Sequence, residues 1–120
     1  MEIEWCSTSY TYTESIVKNY VQSLPGIYFI GSKIPRVGWR IVYLGETKNL
    51  RESLLEHLSP QELDEDIKRY VSYECDFLFS IITQKAKRIR AFKYTLKQHS
   101  SLKPNGNSAK IYPILIKPLQ

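Results

Sequence analysis

The segment from Val42 to Leu58, VYLGETKNLRESLLEHL, contains several side chains that can transfer a proton or carry charge. Its phenol, carboxylates, guanidinium and imidazole belong to the types that enzymes use to activate a nucleophile and to stabilise negative charge. The residue order predicts a strand, a glycine turn and a helix, which would hold Tyr43, Arg51 and His57 on two neighbouring elements. Any further groups of such a site must come from elements that fold against this segment.

A hairpin and a helix are predicted to position these side chains. Gly26–Ile30 and Arg40–Leu44 are short β-rich runs separated by polar residues, which predicts an antiparallel hairpin with a long loop. Asn49 is a good N-cap with Glu52 at the third helical position, and leucine recurs every four residues up to Leu58. We therefore expect a helix that ends near Leu58 and buries its leucine stripe.

The remaining chain is predicted to add helices and one more strand, which gives the α+β class with a small three-stranded, antiparallel-type sheet flanked by helices. The pattern predicts a first helix from Thr13 or Ser15 to about Gln22. A second new helix is predicted after Leu58, with Ser59 as N-cap, Pro60 at its first position and Glu62 closing a capping box. The remaining elements are, in order, a strand Cys75–Thr83, a basic helix from Gln84 to about Gln98, a turn at Lys103–Asn107 and an extended run Lys110–Lys117.

Apolar spacing predicts which faces of the outer helices are buried. Pro113 confines the last extended run to a sheet edge or to no ladder at all. The expected inner residues are Ile16, Val17, Tyr20 and Val21 in the first helix and Ile89, Phe92 and Leu96 in the basic helix.

The length and composition favour one globular domain over residues 1–120. A hydrophobic fraction of 42% and a charged fraction of 24% argue against disordered and collagen-like classes. The first residues lack a signal pattern, and no apolar run approaches the ~20 residues of a membrane span, so we expect a cytoplasmic protein with no membrane partner. Cys6 and Cys75 lie far apart without a CxxC motif, which favours reduced thiols over a zinc site or a disulfide framework.

The charge is unevenly distributed along the chain. All 12 acidic residues lie in residues 1–76, whereas residues 77–120 carry nine Lys or Arg and no acid. Such asymmetry indicates a polyanionic partner, although a basic helix can also be a solvated face that balances the acidic half. The candidate nucleic-acid-binding residues lie on the basic helix and are Lys85, Lys87, Arg88, Arg90, Lys93 and Lys97.

The order hairpin, helix, helix, strand, helix resembles the GIY-YIG nuclease superfamily, and the matching residues span roughly Leu24 to Asn107. The resemblance therefore implies a domain core at about 24–107, to which the first helix and the last extended run are appended. Single three-letter matches are common in proteins, but several elements in family order are more specific. The matching positions are Gly26-Ile27-Tyr28, Tyr43-Leu44-Gly45, Thr47, Asn49, Leu50, His57, Pro104 and Asn107.

The resemblance implies a site framed by two tyrosines in adjacent strands, one of which helps to activate a water molecule. An arginine on the following helix steadies the phosphate, and a glutamate on a later helix binds a divalent metal. Tyr28, Tyr43 and His57 occupy the expected catalytic positions. The family arginine, however, falls at Ser53, and the metal-binding glutamate falls near Lys93.

Neither missing group has an obvious replacement. Arg51 lies two residues from Ser53, which is about 200° around a helix and points it away from His57. No Asp or Glu occurs after Asp76, and Glu46 is expected to be a solvated loop residue rather than a substitute carboxylate. The resemblance therefore predicts no metal cofactor, with Mg²⁺ or Mn²⁺ required only if the chain cleaves through relocated groups.

Three functions follow from this combination. The leading hypothesis is a catalytically inactive protein of the nuclease fold that binds nucleic acid or has a regulatory role. The second is a divergent, metal-dependent endonuclease that uses relocated groups such as Arg51 or Glu46. The third is a protein-interaction module in which Tyr28 and Tyr43 only pack and the basic half docks an acidic protein partner. Since fold does not dictate function, nucleic-acid binding enters here by analogy.

Overall fold

The computed structural model describes residues 3–6, 8–34, 38–62, 68, 75–98, 103–105 and 108–116, with side chains described in 3–6, 8–31, 43–62, 68 and 75–98. Within these ranges the elements are β1 (Tyr10–Thr11), α1 (Glu14–Tyr20), β2 (Gly26–Ile34), β3 (Gly38–Thr47), α2 (Leu50–Leu58), β4 (Asp76–Ile81), α3 (Lys85–Gln98), β5 (Lys103–Asn105) and β6 (Ser108–Ile116).

The described strands form one antiparallel sheet in the order β1-β4-β2-β3-β6-β5. The three expected strands are its centre, with β2 paired to β3 on one side and to β4 on the other. The α+β class and the antiparallel sheet are therefore confirmed, and the sheet is wider than the three strands that the sequence predicted. The extra strands β1, β5 and β6 are short or lie at its two sides, where residue patterns carry less information about pairing.

The central hairpin is longer than its residue pattern indicated. β2 continues to Ile34 and β3 begins at Gly38, with a register shift after Ile30, so most of the predicted polar loop is paired backbone. Extended backbone tolerates polar side chains where they face outward, and the sequence pattern therefore understated the strands.

Helix α2 begins as predicted, because the side chain of Asn49 accepts a hydrogen bond of 3.0 Å from the backbone N–H of Glu52. Leu50 and Leu54 are fully buried, and Leu58 packs beside them. Helix α1 is capped by Thr13. The prediction that Tyr20 faces the core is wrong. Tyr20 is 57% exposed and stacks on Tyr10 of β1, because an aromatic edge strand offers it a partner outside the core.

The sheet divides the core into two layers. Alternate residues of β2 point to opposite faces, so Ile27 and Phe29 pack with Phe92 of α3, while Tyr28 and Ile30 pack with α1 and α2. The two helical layers are therefore separated by the sheet itself.

Several predictions fall partly outside the described residues. The helix predicted after Ser59 falls mostly on positions 63–67 and 69–74, and the turn Lys103–Asn107 is described only as β5 up to Asn105. β6 pairs with β3 around an irregularity between Ile41 and Tyr43, and Pro113 lies in β6 at that interruption. Within the described part of the chain, no helix is both long and apolar enough to cross a membrane.

Candidate functional site

A hydrogen-bonded chain of three side chains lies on the α2 side of the sheet. The hydroxyl of Tyr28 in β2 is 2.8 Å from Nε2 of His57 in α2, and Nδ1 of His57 is 2.8 Å from Oε2 of Glu62. The His57 and Glu62 side chains are only 11% and 13% exposed. Strand β2, the last turn of α2 and the residues that follow it therefore meet at one partly buried polar cluster.

The hydrogen-bonding capacity of each of the three side chains indicates where the hydrogens lie. An ionised Glu62 carboxylate only accepts hydrogen bonds, so Nδ1 of His57 carries a hydrogen and donates a hydrogen bond to Glu62. In the neutral imidazole, Nε2 is then an acceptor, and the Tyr28 hydroxyl donates to it. A phenol, a base and a carboxylate that orients the base are the arrangement of an activated nucleophile.

The environment of Tyr28 opposes ionisation of its phenol. Its pKa is raised well above the ordinary value, first by burial and then by the neighbouring Tyr43 and Tyr12. Tyr28 is 3% exposed, so the phenolate would be poorly solvated. Burial therefore keeps the Tyr28 phenol neutral at neutral pH.

Tyr43 completes the aromatic wall of the cluster. Its ring centroid lies 4.7 Å from that of His57 in an edge contact and 6.0 Å from that of Tyr28. The structure thus brings together the three sequence-predicted residues Tyr28, Tyr43 and His57.

Ser53 occupies the predicted arginine position without supplying charge. Its Oγ is 2.6 Å from Oγ1 of Thr47, and the Thr47 hydroxyl also contacts the backbone of Asn49 at the start of α2. A neutral hydroxyl pair that stabilises the strand-to-helix turn stands where the resemblance implied a cation. Arg51 lines a surface groove with Asn49, Glu52 and Glu56 instead, as its rotation around the helix predicted.

The glycines of the two motifs are required by close packing. Gly45 lies opposite Tyr28 in the β2–β3 register, and a Cβ atom at Gly45 would come within 2.5 Å of the Tyr28 ring. A Cβ atom at Gly26 would lie 2.1 Å from the Ser80 carbonyl oxygen and 2.7 Å from Leu50. Both glycines thus let a backbone or ring approach closely, whatever chemistry follows.

Glu62 is the member of the site that sequence reasoning missed. It was predicted to close a capping box on Ser59, but the backbone N–H of Ser59 donates to the Glu56 carbonyl and the Glu62 carboxylate meets His57. The imidazole is the better partner because both groups are largely shielded from water. The available signal was the short distance in sequence between a helix-terminal histidine and a following acid.

Lys93 is not brought to this cluster. It belongs to α3, which packs through Ala91 and Phe92 on the sheet face opposite Tyr28, and Lys93 itself is exposed. The position predicted for the metal-binding glutamate is therefore separated from Tyr28 and His57 by the sheet. Within the described ranges, no group of three or more His, Cys, Asp or Glu is placed to hold a metal ion.

Most of the predicted basic surface is exposed, and Arg88 is the exception. Its side chain is 3% exposed, its Nη1 donates to the carbonyls of Ile82 and Thr83 at 3.3 Å, and its Nε lies 3.5 Å from Oε2 of Glu46. The prediction that Arg88 contacts nucleic acid at the surface is therefore wrong, because its side chain is buried and bound to groups inside the protein. The exposed basic residues of α3 are Lys85, Lys87, Arg90, Lys93 and Lys97.

Glu46 also differs from its prediction as a solvated loop residue. It lies near the end of β3 on the α3 side of the sheet, and its side chain is 6% exposed against Arg88. Burial of this carboxylate is tolerated because the neighbouring Arg88 guanidinium compensates its charge.

No family model matches this chain, and no curated protein matches it either.

Proposed function

We propose that this chain is a degenerate member of the GIY-YIG nuclease superfamily that binds nucleic acid through α3 and does not cleave it. The family assignment is supported by the antiparallel β2–β3 hairpin, which carries both glycine-tyrosine motifs, and by the order of α2, β4 and α3 behind it. It is also supported by the meeting of Tyr28, Tyr43 and His57 at one cluster.

The observation that carries the binding proposal is a basic stripe on α3, defined here as Arg90, Lys93 and Lys97. At about 100° per residue these three lie within one narrow sector, on the side of the helix opposite the buried Ala91 and Thr95. From Arg90 to Lys97 the stripe is about 10 Å long, the axial length of about three phosphates of one strand. The proposed ligand contact is therefore with the phosphate backbone.

The absence of acids strengthens this surface. Helix α3 contains no Asp or Glu, so no carboxylate of its own competes with a phosphate for the stripe. Exposed lysines at positions 85 and 87 extend the positive potential beyond the stripe. Contacts of this kind favour polyanions and give little sequence preference.

The proposed lack of cleavage has separate support. Tyr28 is held neutral by burial, Ser53 supplies a hydroxyl where the family resemblance implies a cation, and Lys93 lies across the sheet from both. Phosphodiester cleavage needs stabilisation of the negative charge that develops in the transition state, and these groups provide little.

The test is binding of labelled single-stranded and duplex DNA and RNA as a function of salt. We expect Arg90→Gln/Lys93→Gln/Lys97→Gln to lower both the affinity and the log-log salt slope, which is about −0.9 for each phosphate contacted on duplex DNA. The matched control is Lys18→Gln/Arg51→Gln/Lys68→Gln, which removes the same charge from elsewhere and should have the smaller effect.

Equal losses in the two triple variants would mean that net charge rather than the stripe drives binding. No salt-dependent binding of any nucleic acid by the unmodified protein would overturn the proposal in favour of a protein-interaction module with an acidic partner.

A second candidate is a divergent endonuclease, and the Tyr28–His57–Glu62 chain is the observation that favours it. In this reading Glu62 orients His57 as the base and Tyr28 relays a proton. Metal-dependent nicking by the unmodified protein would support it.

A further inference from the structure

A polar cleft of about 590 Å³ lies on the α3 side of the molecule, between the end of β3 and the first turn of α3. It is separate from the Tyr28–His57–Glu62 cluster, which lies on the other face of the sheet. Its lining residues are Glu46, Thr47, Lys48, Lys85, Arg88 and Ile89.

The charges around the cleft favour an anion. Lys48 and Lys85 are exposed at its walls, and Arg88 forms a buried part of its lining. Glu46 contributes one carboxylate against these three cations, which leaves a formal net charge of +2 around the cleft. The first turn of a helix adds the positive end of its dipole to the same wall.

Arg88 contributes a buried positive charge whose hydrogen bonds are only partly made within the described residues. Its Nη1 is satisfied by the Ile82 and Thr83 carbonyls, but its buried Nε has no hydrogen-bond acceptor among the described residues. The Glu46 carboxylate at 3.5 Å compensates its charge without accepting from Nε. A buried guanidinium N–H without an acceptor is unusual, and the positive charge of Arg88 in the lining adds to the attraction of the cleft for an anion.

We propose that this cleft binds a terminal phosphate monoester, such as the phosphorylated end of a nucleic-acid strand. A phosphate monoester carries about −1.5 to −2 charges at pH 7, whereas each backbone phosphodiester carries one. The second charge gives the terminal group the stronger attraction to Lys48 and Lys85. The assignment to a strand end rests on the proposed function, because the same cleft would otherwise take a free phosphate.

The cleft and the basic stripe are close enough to serve one strand. Lys85 is at the start of α3 and Arg90 begins the stripe, which is about 7.5 Å further along the helix axis. A strand whose end is bound in the cleft would therefore lead its next phosphates toward Arg90 and Lys93.

The test uses the full chain and a short DNA, labelled at its 3′ end, that carries either a 5′-phosphate or a 5′-hydroxyl. We expect the phosphorylated strand to bind about fivefold more tightly or better, the effect of one extra unit charge ~4 Å from an ammonium group in a water-like dielectric. The preference should shrink below about pH 6, where the monoester dianion takes up a proton and becomes a monoanion.

Two variants separate the cleft from the stripe. Lys48→Gln/Lys85→Gln should bring the affinity ratio of the two strands close to one, while Lys93→Gln/Lys97→Gln should weaken both strands and leave the ratio unchanged. Inorganic phosphate, titrated while the amide NMR signals of Lys48 and Lys85 are followed, distinguishes a free ion from a strand end as the ligand.

Each outcome supports or overturns the assignment. Equal binding of both strands by the unmodified protein, or a ratio that survives Lys48→Gln/Lys85→Gln, overturns the terminal-phosphate site and leaves stripe binding intact. Phosphate-induced shifts at the cleft with no binding of either strand support the phosphate site and overturn the proposed nucleic-acid function. If neither phosphate nor DNA has any effect, both are overturned.

Discussion

The carboxylate of Glu46 lies 3.5 Å from Nε of Arg88, and the two side chains are only 6% and 3% exposed. This pair connects β3 to α3, and the Nη1 contacts of Arg88 add the Ile82 and Thr83 carbonyls just after β4. A single guanidinium group therefore ties three parts of the α3 side of the molecule together.

Replacing Arg88 should destabilise the fold far more than replacing its exposed neighbour. Arg88→Gln leaves the Glu46 carboxylate buried without its cation, and breaking such a pair lowers the free energy of unfolding by about 3–5 kcal/mol. Arg90→Gln, on the exposed face, should change it by no more than about 0.5 kcal/mol. Urea unfolding followed by circular dichroism measures both.

A double variant checks that the effect belongs to the pair. Glu46→Gln/Arg88→Gln should be destabilised by less than the sum of its single variants, because neither charge is left uncompensated. Additive effects, or equal urea midpoints for Arg88→Gln and Arg90→Gln, would show that the pair does not form in solution.

Glu62 should fix the tautomer of His57. At neutral pH we expect His57 to be protonated on Nδ1, because Nδ1 donates to the Glu62 carboxylate and Nε2 accepts from Tyr28. Long-range ¹H–¹⁵N NMR spectra of the imidazoles distinguish the two tautomers, and a His99→Gln variant assigns the signals. Glu62→Ala should mix the tautomers, whereas Glu56→Ala, an exposed acid of α2, is the matched control. Dominant Nε2 protonation in the unmodified protein would contradict the arrangement.

The buried tyrosine should make the protein alkali-sensitive. Burial raises the pKa of Tyr28, so above about pH 10 the unfolded chain ionises this phenol while the folded chain keeps it neutral. Its contribution to stability is therefore complete below about pH 10 and is lost above it, at up to about 1.4 kcal/mol per pH unit. Urea unfolding between about pH 8 and pH 11 should show a shallower decline for Tyr28→Phe.

The exposed Tyr20 provides the comparison for that measurement. Tyr20→Phe removes a hydroxyl from a side chain that is mostly exposed. The free energy of unfolding of this variant should therefore fall with rising pH in parallel with that of the unmodified protein. If Tyr28→Phe declines just as steeply, the Tyr28 phenol is accessible to water in solution.

Plasmid DNA should remain intact with the purified protein in magnesium or manganese. Loss of one group that stabilises transition-state charge lowers rates by about 10² or more, and Ser53 is neutral where the family resemblance implies a cation. Ser53→Arg/Lys93→Glu should not restore cleavage, because Lys93 lies on the opposite side of the sheet from Tyr28. Robust nicking that Tyr43→Phe abolishes would instead establish the divergent endonuclease.

Local signals predicted the parts of the fold that depend on neighbours in sequence. The Asn49 cap and the leucine stripe of α2 lie within a few residues of their partners, and both are present in the structure. The burial of Arg88 was not predictable in this way, because arginine is usually exposed and its partner Glu46 lies on another element.

In the candidate site, too, local sequence signals were informative and contacts between distant elements were not predictable. Tyr28, Tyr43 and His57 were recognisable from motif spacing, but the partner of His57 depended on how the chain turns after α2. The placement of Lys93 depended on which face of the sheet α3 covers, and helix periodicity alone carries no information about that choice.

The close approach of Gly45 to the Tyr28 ring, and of Gly26 to the Ser80 carbonyl, has a consequence for interpreting glycine-tyrosine motifs in genome sequences. Close packing of the hairpin alone favours glycine at both positions, with or without a catalytic site beside them. A search pattern built on the two glycine-tyrosine motifs would therefore collect proteins that share this packing whether or not they cleave nucleic acid. A pattern that also required a cation at the Ser53 position would separate them better.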